Sequence, residues 1–311
     1  MKREKPNLLE MARAPFLFAI IVPLSIGTLL SVHITGSLDV LGLVFASMVG
    51  LGLHVSTNVY NDIYDTKQGA DTVRSSKSEF SGGSGILVDN PDMEKDMFNL
   101  ARAGIIFGSV GYIGLMWTSE ARFWPMLTFI FLVSAFLSKY YTAAPFKFAY
   151  RGLGEIVVWF GFGPLAVLLA STAQNVGFHP YIISIMPITG LSTLFIVWMG
   201  QMVDLPDDVA AGKEGLVARI GLEKSVYGLL LIHILALVNV LFVSYILNPG
   251  IFLLVALIPH AFLLPPMFKK LNREDKNQKL ISKVSKLNFT LYLLFSLSLI
   301  IGFFLQVLIA L

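Results

Sequence analysis

Residues 58–65, with the sequence NVYNDIYD, decide how this chain is organised, because they lie where a long apolar run ends. The amides and carboxylates of this stretch are Asn58, Asn61, Asp62 and Asp65. At about 100° per residue of α-helix, these four side chains fall within roughly a third of the helix circumference. The stretch therefore predicts a polar face at the mouth of a membrane-spanning helix.

A second polar stretch, QMVDLPDD at residues 201–208, ends another long apolar run. Asp204 and Asp208 are four residues apart and share a helix face, with Asp207 beside them. Pro206 lies inside this stretch and predicts that the helix breaks or tightens there. Two carboxylate clusters at the mouths of two helices predict a site for hard cations and, behind the cations, a diphosphate.

The composition is that of a polytopic membrane protein. Of the 311 residues, 55% are hydrophobic and only 14% are charged, whereas soluble domains carry about 25% charged residues. The mean hydropathy is +0.73. The chain has no cysteine, which excludes disulfides, thiolate nucleophiles and cysteine metal sites. We expect a single all-α membrane domain over residues 1–311.

A helix needs about 20 mostly apolar residues to cross ~30 Å of hydrocarbon. By this measure the sequence predicts nine spans. They run roughly over residues 15–31, 40–60, 98–117, 123–140, 154–170, 181–203, 226–247, 251–268 and 289–311.

The basic residues support this count and predict an orientation. With nine spans, 22 of the 23 lysines and arginines fall on the side of the N-terminus, and only Arg122 falls on the other. The positive-inside rule then places the N-terminus in the cytoplasm and the C-terminus outside. Both carboxylate clusters lie on the cytoplasmic side, so we expect a cytoplasmic-side active site. We expect the membrane to be the cytoplasmic membrane of a prokaryote.

The carboxylates themselves predict a bound cation. Each costs about 2.5 to 3.5 kcal/mol at bilayer depth, and several together repel unless cations lie between them. Mg²⁺ takes oxygen ligands, often one or two carboxylates plus substrate phosphate oxygens. Asn58 and Asn61 can add neutral oxygens. Nearby cations that can neutralise a leaving diphosphate are Arg74, Lys139, Lys147 and Lys213.

Several stretches resemble one known family. NDIYDTKQGAD at 61–71 resembles the first aspartate-rich motif of the UbiA superfamily of intramembrane prenyltransferases, and DLPDDVAAGKEGLVARIG at 204–221 resembles the second. YTAAPFKFAYRGLGE at 141–155 is similar to the connecting motif of the menaquinone-type 1,4-dihydroxy-2-naphthoate prenyltransferases. FSGGSGIL at 80–87 looks like a segment of the same branch, and Arg13, followed by a proline two residues on, matches the family's first-helix entry.

The resemblance implies Mg²⁺-dependent transfer of a polyprenyl group from its diphosphate to a small aromatic acceptor, 1,4-dihydroxy-2-naphthoate in menaquinone synthesis. It implies a catalytic role for Tyr141, which would face the reacting carbon. The implied metal ligands are Asn61, Asp62, Asp65, Asp204 and Asp208, and the four aspartates among them are also implied to be catalytic. The implied diphosphate-binding residues are Arg13, Asn58, Asn61, Arg74, Lys147 and Lys213. The partners are then the two substrates and the lipid bilayer, with no nucleic acid; the sequence leaves the oligomeric state open.

Two departures from the pattern leave the acceptor open. Gly200, Gln201, Met202 and Val203 stand where menaquinone-type enzymes usually carry Asn-Asn-x-Arg, and Gly215 stands where a threonine is expected. The alternatives within the superfamily are a 4-hydroxybenzoate, glycerol-lipid or chlorin acceptor, or a cyclase without an acceptor. From other classes, a transporter with acids at midplane or a non-catalytic scaffold would also fit the topology. His54 lies one turn before Asn58, and we interpret it as a packing residue.

Overall fold

The computed structural model describes residues 6–71, 83–247, 250–273 and 277–310. All regular secondary structure in these ranges is helical, and nine of the helices are long and apolar enough to cross a membrane. This confirms the predicted all-α membrane fold. The nine are α1 Ala14–Thr35, α2 Val40–Gln68, α3 Pro91–Thr118, α4 Ala121–Tyr140, α5 Gly154–Ala173, α6 Pro180–Ala210, α7 Leu216–Ile246, α8 Gly250–Leu271 and α9 Gln278–Ile309.

Helices α2 and α6 continue past the apolar runs that predicted them. Helix α2 extends to Gln68, so the whole polar stretch 58–65 is helical. Helix α6 extends through Pro206 to Ala210, so the prediction of a break at this proline is wrong. A proline removes one N–H, and near the end of a 31-residue helix the loss of that one bond does not end the helix. Both carboxylate stripes therefore project from helices.

The nine helices form a ring in chain order. Each helix contacts the next one along the chain, and α9 returns to contact α1. Helix α1 also packs across the ring on α5 and α6. This arrangement places α2 and α6, which carry the two carboxylate stripes, on either side of an interior bordered by α1 and α5.

Helix α2 is held against α3 by very close backbone packing. A Cβ atom on Gly52 would lie 2.5 Å from the backbone oxygen of Gly104, so neither position tolerates a side chain. Small residues allow helices to approach in this way in membranes. One turn on, the Ser56 hydroxyl donates to the Ala101 oxygen at 2.8 Å. These contacts fix the helix that presents the first carboxylate stripe.

Two helices near the site depart from regular α geometry. Helix α5 contains a π-helical turn, Gly161–Leu165, which includes Pro164. Such turns insert one residue into the helix and are frequent at functional sites. Helix α7 kinks at Gly221, where φ is 78°. Glycine adopts this left-handed conformation without the strain that a Cβ would cause.

Candidate active site

A lysine joins the two carboxylate stripes. The loop after α6 turns back through Gly212, which has φ of 68°. The backbone N–H of Lys213 donates to the backbone oxygen of Asp208 at 2.8 Å. The Lys213 ammonium then lies 2.9 Å from Asp65 Oδ2 and 3.6 Å from Asp208 Oδ1. The structure therefore brings together the first stripe, the second stripe and one of the predicted diphosphate ligands.

Asp65 is fully buried and has a hydrogen-bond donor on each oxygen. Its Oδ2 accepts from Asn61 Nδ2 at 3.0 Å as well as from Lys213. Its Oδ1 accepts from the Tyr150 hydroxyl at 2.8 Å. Sequence analysis missed Tyr150, although it lies inside the quoted motif at 141–155, because no spacing rule connects that loop to α2.

Asp62 is buried and is only partly neutralised. Its Oδ1 accepts from the Ser84 backbone N–H at 3.2 Å and lies 3.6 Å from Arg13 Nη1. Its Oδ2 is buried and has no hydrogen-bond partner among the residues that the structure describes. Arg13 itself has φ of 54° and lies 4.5 Å from the centre of the Phe16 ring. One carboxylate oxygen of the first stripe is thus buried without a described hydrogen-bond partner.

A cavity between α1, α2, α5 and α6 collects most of the predicted site residues. Those that border it are Arg13, Asn58, Asn61, Tyr141, Asp204, Asp208 and Lys213. Further from the carboxylates the wall becomes less polar and includes Val158, Ile196 and Val197. The cavity therefore has a charged end and an apolar end.

A second, largely apolar cavity adjoins the first. It lies between α1, α2, α4 and α5 and shares Tyr141, Val158 and Phe162 with the first cavity. Aliphatic side chains such as Leu53 and Leu165 form most of its wall. Together the two cavities suit a molecule with a strongly anionic head and a long apolar tail.

His54 packs as predicted and also borders both cavities. Its ring centre is 4.9 Å from that of Phe162, edge to face. Its Nδ1 is buried without a hydrogen-bond partner in the described part of the chain. The imidazole therefore combines a packing contact with one buried polar atom that has no described partner.

The other predicted basic residues that the structure describes do not border the first cavity. The Lys147 ammonium lies 5.7 Å from the centre of the Tyr150 ring, behind the tyrosine that binds Asp65. Lys139 lies beside the Tyr140 ring, with its ammonium 5.5 Å from the ring centre. Arg74 and the first three residues of the segment 80–87 lie outside the described residues.

The loop groups of the site keep their ordinary charges. Burial would lower the pKa of Lys213, but Asp65 and Asp208 outweigh it and raise that pKa well above its usual value. Burial, then the charge of Glu155, raises the pKa of the Tyr141 hydroxyl. Burial, then the charge of Asp65, raises the pKa of Tyr150. Lys213 therefore remains a cation, and both tyrosines remain neutral hydrogen-bond donors.

The donor set fits a hard cation as part of its ligand shell. Carboxylate and amide oxygens dominate the charged end, and Asp62 Oδ2 is buried without a partner among the described residues. Within the described ranges, however, no three His, Asp or Glu side chains come close enough to form a metal site by themselves. This arrangement suits Mg²⁺, which is commonly held by one or two carboxylates plus substrate phosphate oxygens.

Comparisons with known proteins agree with this geometry. Residues 20–294 match the model of the UbiA prenyltransferase family. A 2-carboxy-1,4-naphthoquinone phytyltransferase from Synechocystis is 28% identical over 215 residues, 68% of this chain and 66% of that protein. UbiA prenyltransferase domain-containing protein 1 from Gallus gallus is 30% identical over 306 residues, 94% of this chain and 84% of that protein. A UbiA homologue from Archaeoglobus fulgidus, solved with DMAPP and Mg²⁺, shares the fold, with a TM-score of 0.63 and 14% identity over 94% of this chain and 98% of that one.

Proposed function

Because this chain belongs to the UbiA prenyltransferase family, we propose that it transfers a polyprenyl group from a polyprenyl diphosphate to 1,4-dihydroxy-2-naphthoate, with Mg²⁺ as cofactor. The observation that carries the proposal is the pair of adjoining cavities. One is bordered by Asn58 and Asn61 of the first stripe and by Asp204 and Asp208 of the second, and the other is apolar. The family assignment makes the chain an integral membrane prenyltransferase, which sets aside the transporter and scaffold alternatives.

The diphosphate head occupies the charged end of the first cavity. Asp62, Asp65, Asp204 and Asp208, with Asn61, would hold Mg²⁺ together with diphosphate oxygens. Bound Mg²⁺ would supply positive charge that stabilises the leaving diphosphate. Lys213 and Arg13 border the same space and add fixed positive charge to it. Lys213 then exchanges its contact with Asp65 for one with the diphosphate.

The prenyl tail occupies the apolar cavity, and its first carbon lies near Tyr141, which borders both cavities. Breaking the C–O bond releases diphosphate and leaves an allylic cation. The aromatic face of Tyr141 stabilises this cation by a cation–π interaction. The apolar wall excludes water, which would otherwise capture the cation. The electron-rich ring of the acceptor attacks the cation, and the attacked carbon then loses a proton or carbon dioxide.

The naphthoate acceptor is supported by a relative whose name contains the oxidised form of the same ring system, a 2-carboxy-1,4-naphthoquinone. The alternatives are 4-hydroxybenzoate, a glycerol-based lipid, a chlorin, or no acceptor. We further propose that residues 1–311 form one domain in the cytoplasmic membrane of a prokaryote. The placement of 22 of the 23 lysines and arginines on the N-terminal side supports a cytoplasmic active site and an external C-terminus.

An acceptor panel tests the proposal. The protein is purified in nanodiscs and given Mg²⁺, geranylgeranyl diphosphate and either 1,4-dihydroxy-2-naphthoate, 4-hydroxybenzoate or no acceptor, and products are identified by mass spectrometry. We expect a prenylated naphthalene only with the first acceptor. A product from 4-hydroxybenzoate alone, or a cyclised hydrocarbon without acceptor, would replace the naphthoate assignment.

A further inference from the structure

The two departures from the family pattern meet in space. Gln201 on α6 and Gly215 before α7 are 14 positions apart in the chain, yet a Cβ atom on Gly215 would lie 2.7 Å from Gln201 Oε1. The same Cβ would lie 3.5 Å from Oε1 of Glu155, at the start of α5. Gly215 therefore leaves space into which a glutamine and a glutamate project from two different helices.

Both side chains present oxygens that need a donor. Glu155 is only 3% exposed, and its Oε1 accepts from the Leu216 N–H at 2.9 Å. Its Oε2 and the Oε1 of Gln201 are buried with no hydrogen-bond partner in the described ranges. A buried acceptor without a donor costs about 1–3 kcal/mol, so such groups usually find partners. These two oxygens are suited to a ligand that brings hydrogen-bond donors.

The location of the pair points to the second substrate. Gln201 and Gly215 border the same cavity as Asp204, Asp208 and Tyr141. Gln201 lies one helical turn before Asp204, further from the charged mouth. A molecule bound there lies beside the reacting carbon of the prenyl group and inward of the diphosphate. The Glu155 carboxylate would repel an anionic oxygen, so hydroxyl groups suit this place and the carboxylate of a dihydroxynaphthoate would lie away from Glu155.

We propose that Gln201 and Glu155, on either side of Gly215, form the acceptor-recognition site and accept hydrogen bonds from hydroxyl groups of an aromatic diol. This inference rests on the proposed function. Each oxygen takes one hydroxyl hydrogen, which orients the ring against Tyr141 and raises its electron density. The longer side chain at 201 fills the space that the missing side chain at 215 leaves, so the two departures act as one specificity determinant.

A purely structural role is the alternative for both residues. Glu155 Oε1 binds the first turn of α7 and would hold that helix in place even without a ligand. Glu155→Gln separates the two roles, because the amide keeps one oxygen for the Leu216 N–H and presents an NH₂ donor where the second oxygen was. Gln201→Leu removes the acceptor and keeps the volume. Gly215→Ala displaces the Gln201 amide.

A ligand comparison tests the inference by equilibrium binding to protein in nanodiscs, under anaerobic conditions. The probes are 1,4-dihydroxy-2-naphthoate and its 1,4-dimethoxy analogue, which lacks the hydroxyl donors. We expect the wild-type protein to prefer the dihydroxy compound by about tenfold or more, since each lost hydrogen bond costs roughly 1 kcal/mol and more to a charged group. In Gln201→Leu and Glu155→Gln this preference falls to about threefold or less, while Mg²⁺-dependent binding of geranylgeranyl diphosphate stays within about twofold.

Two controls sharpen the comparison. Gln306, on α9 away from the cavities, is also buried with an Oε1 that has no partner among the described residues, and Gln306→Leu should leave the preference unchanged. Gly215→Ala alone should weaken binding of the dihydroxy compound about tenfold. In the Gln201→Leu background it should weaken binding little further, because the effects of substitutions at contacting residues are not additive.

The outcomes separate this inference from the proposed function. The inference is overturned if the wild-type protein binds the two probes equally well. It is also overturned if the variants weaken binding of both probes equally, or if the effects of Gln201→Leu and Gly215→Ala add. If the acceptor panel yields prenylated naphthalene while the preference is absent, only the inference fails. If the preference is present and no prenylated product forms, the proposed function fails and the hydroxyl-binding site stands.

Discussion

Lys213 lies 2.9 Å from Asp65, across 148 positions of the chain, and joins the carboxylates of α2 and α6 through a single buried ammonium. Its second contact, with Asp208 at 3.6 Å, lies on the other stripe. Several carboxylates close together require a cation between them. Lys213 supplies one, and on our account Mg²⁺ and diphosphate change its partners when substrate binds.

Removing this ammonium should make stability depend on Mg²⁺. Lys213→Met leaves Asp65 and Asp208 buried without their shared cation, which we expect to destabilise the protein by about 3 kcal/mol in EDTA. Mg²⁺ should restore much of this loss if, as we propose, it binds the same carboxylates. The measurement is the thermal unfolding midpoint of wild type and variant with and without Mg²⁺.

The exposed Lys224 on α7 offers the matched control, and Lys224→Met should behave as wild type. An equal Mg²⁺ shift in all three proteins would show that Lys213 and the metal do not share these ligands.

The charge of the same lysine predicts a pH range over which its contribution to stability stays constant. The pKa of Lys213 is raised above its usual 10.5 in the folded protein. Its stabilising contribution is therefore fully present below the unfolded value and is lost only as the pH rises through the folded one. The difference in unfolding midpoint between wild type and Lys213→Met should thus stay constant from about pH 7.5 to 9.5. A difference that shrinks within this range would mean that Lys213 loses its proton there and is not held by the carboxylates.

Tyr150 should act through Asp65. Its hydroxyl donates to Asp65 Oδ1 at 2.8 Å and fixes the carboxylate that faces Lys213. We expect Tyr150→Phe to raise the Mg²⁺ concentration for half-maximal activity about tenfold, the value of one hydrogen bond to a charged group. The rate at saturating Mg²⁺ should change by less than about threefold.

Tyr140, which packs among Phe136 and Phe146, provides the control, and Tyr140→Phe should leave the Mg²⁺ dependence unchanged. A rate that falls equally at every Mg²⁺ concentration in Tyr150→Phe would place this residue in the chemical step instead.

Substitution of two glycines in the π-helical turn of α5 should have different effects on stability. A Cβ on Gly161 would have no described atom within 4 Å, and Gly161 borders the apolar cavity. Gly161→Leu should therefore fold and shorten the cavity, which lowers kcat/KM for long prenyl diphosphates relative to geranyl diphosphate. A Cβ on Gly163 would lie 2.6 Å from the backbone oxygen of Met186. Gly163→Ala should instead destabilise the protein by about 1–3 kcal/mol.

The readouts are kinetics with donors of increasing length and thermal unfolding. An unchanged length preference in Gly161→Leu would contradict the placement of the prenyl tail in this cavity.

Hydropathy and helical periodicity predicted the nine helices and the two carboxylate stripes. The spans and the stripes both depend on local sequence. Each segment must satisfy its own backbone hydrogen bonds in lipid, so these local predictions hold in the folded protein. Helix ends were less predictable, since helices α2 and α6 continue past the apolar residues into their polar stripes. The apolar run marks hydrocarbon thickness and does not mark where hydrogen bonding stops.

Contacts between segments that are distant in the chain could not be predicted from the sequence. The stripes predicted that Asp65 needs a cation, but several basic residues were candidates, and only the folded loop selects Lys213. Tyr150 and Glu155 carry no periodic signal, because their roles depend on the approach of the 141–155 segment to α2 and α7. Gln201 and Gly215 stood out as departures, yet their contact became visible only in three dimensions.

The central claim is that the two carboxylate stripes form one site for Mg²⁺ and diphosphate. The most direct measurement is equilibrium binding of geranylgeranyl diphosphate to the purified protein with Mg²⁺ or EDTA, for wild type, Asp62→Asn and Asp204→Asn. We predict tight binding that requires Mg²⁺ and that either substitution weakens about tenfold or more. Binding that persists in EDTA, or that neither substitution changes, would contradict the account.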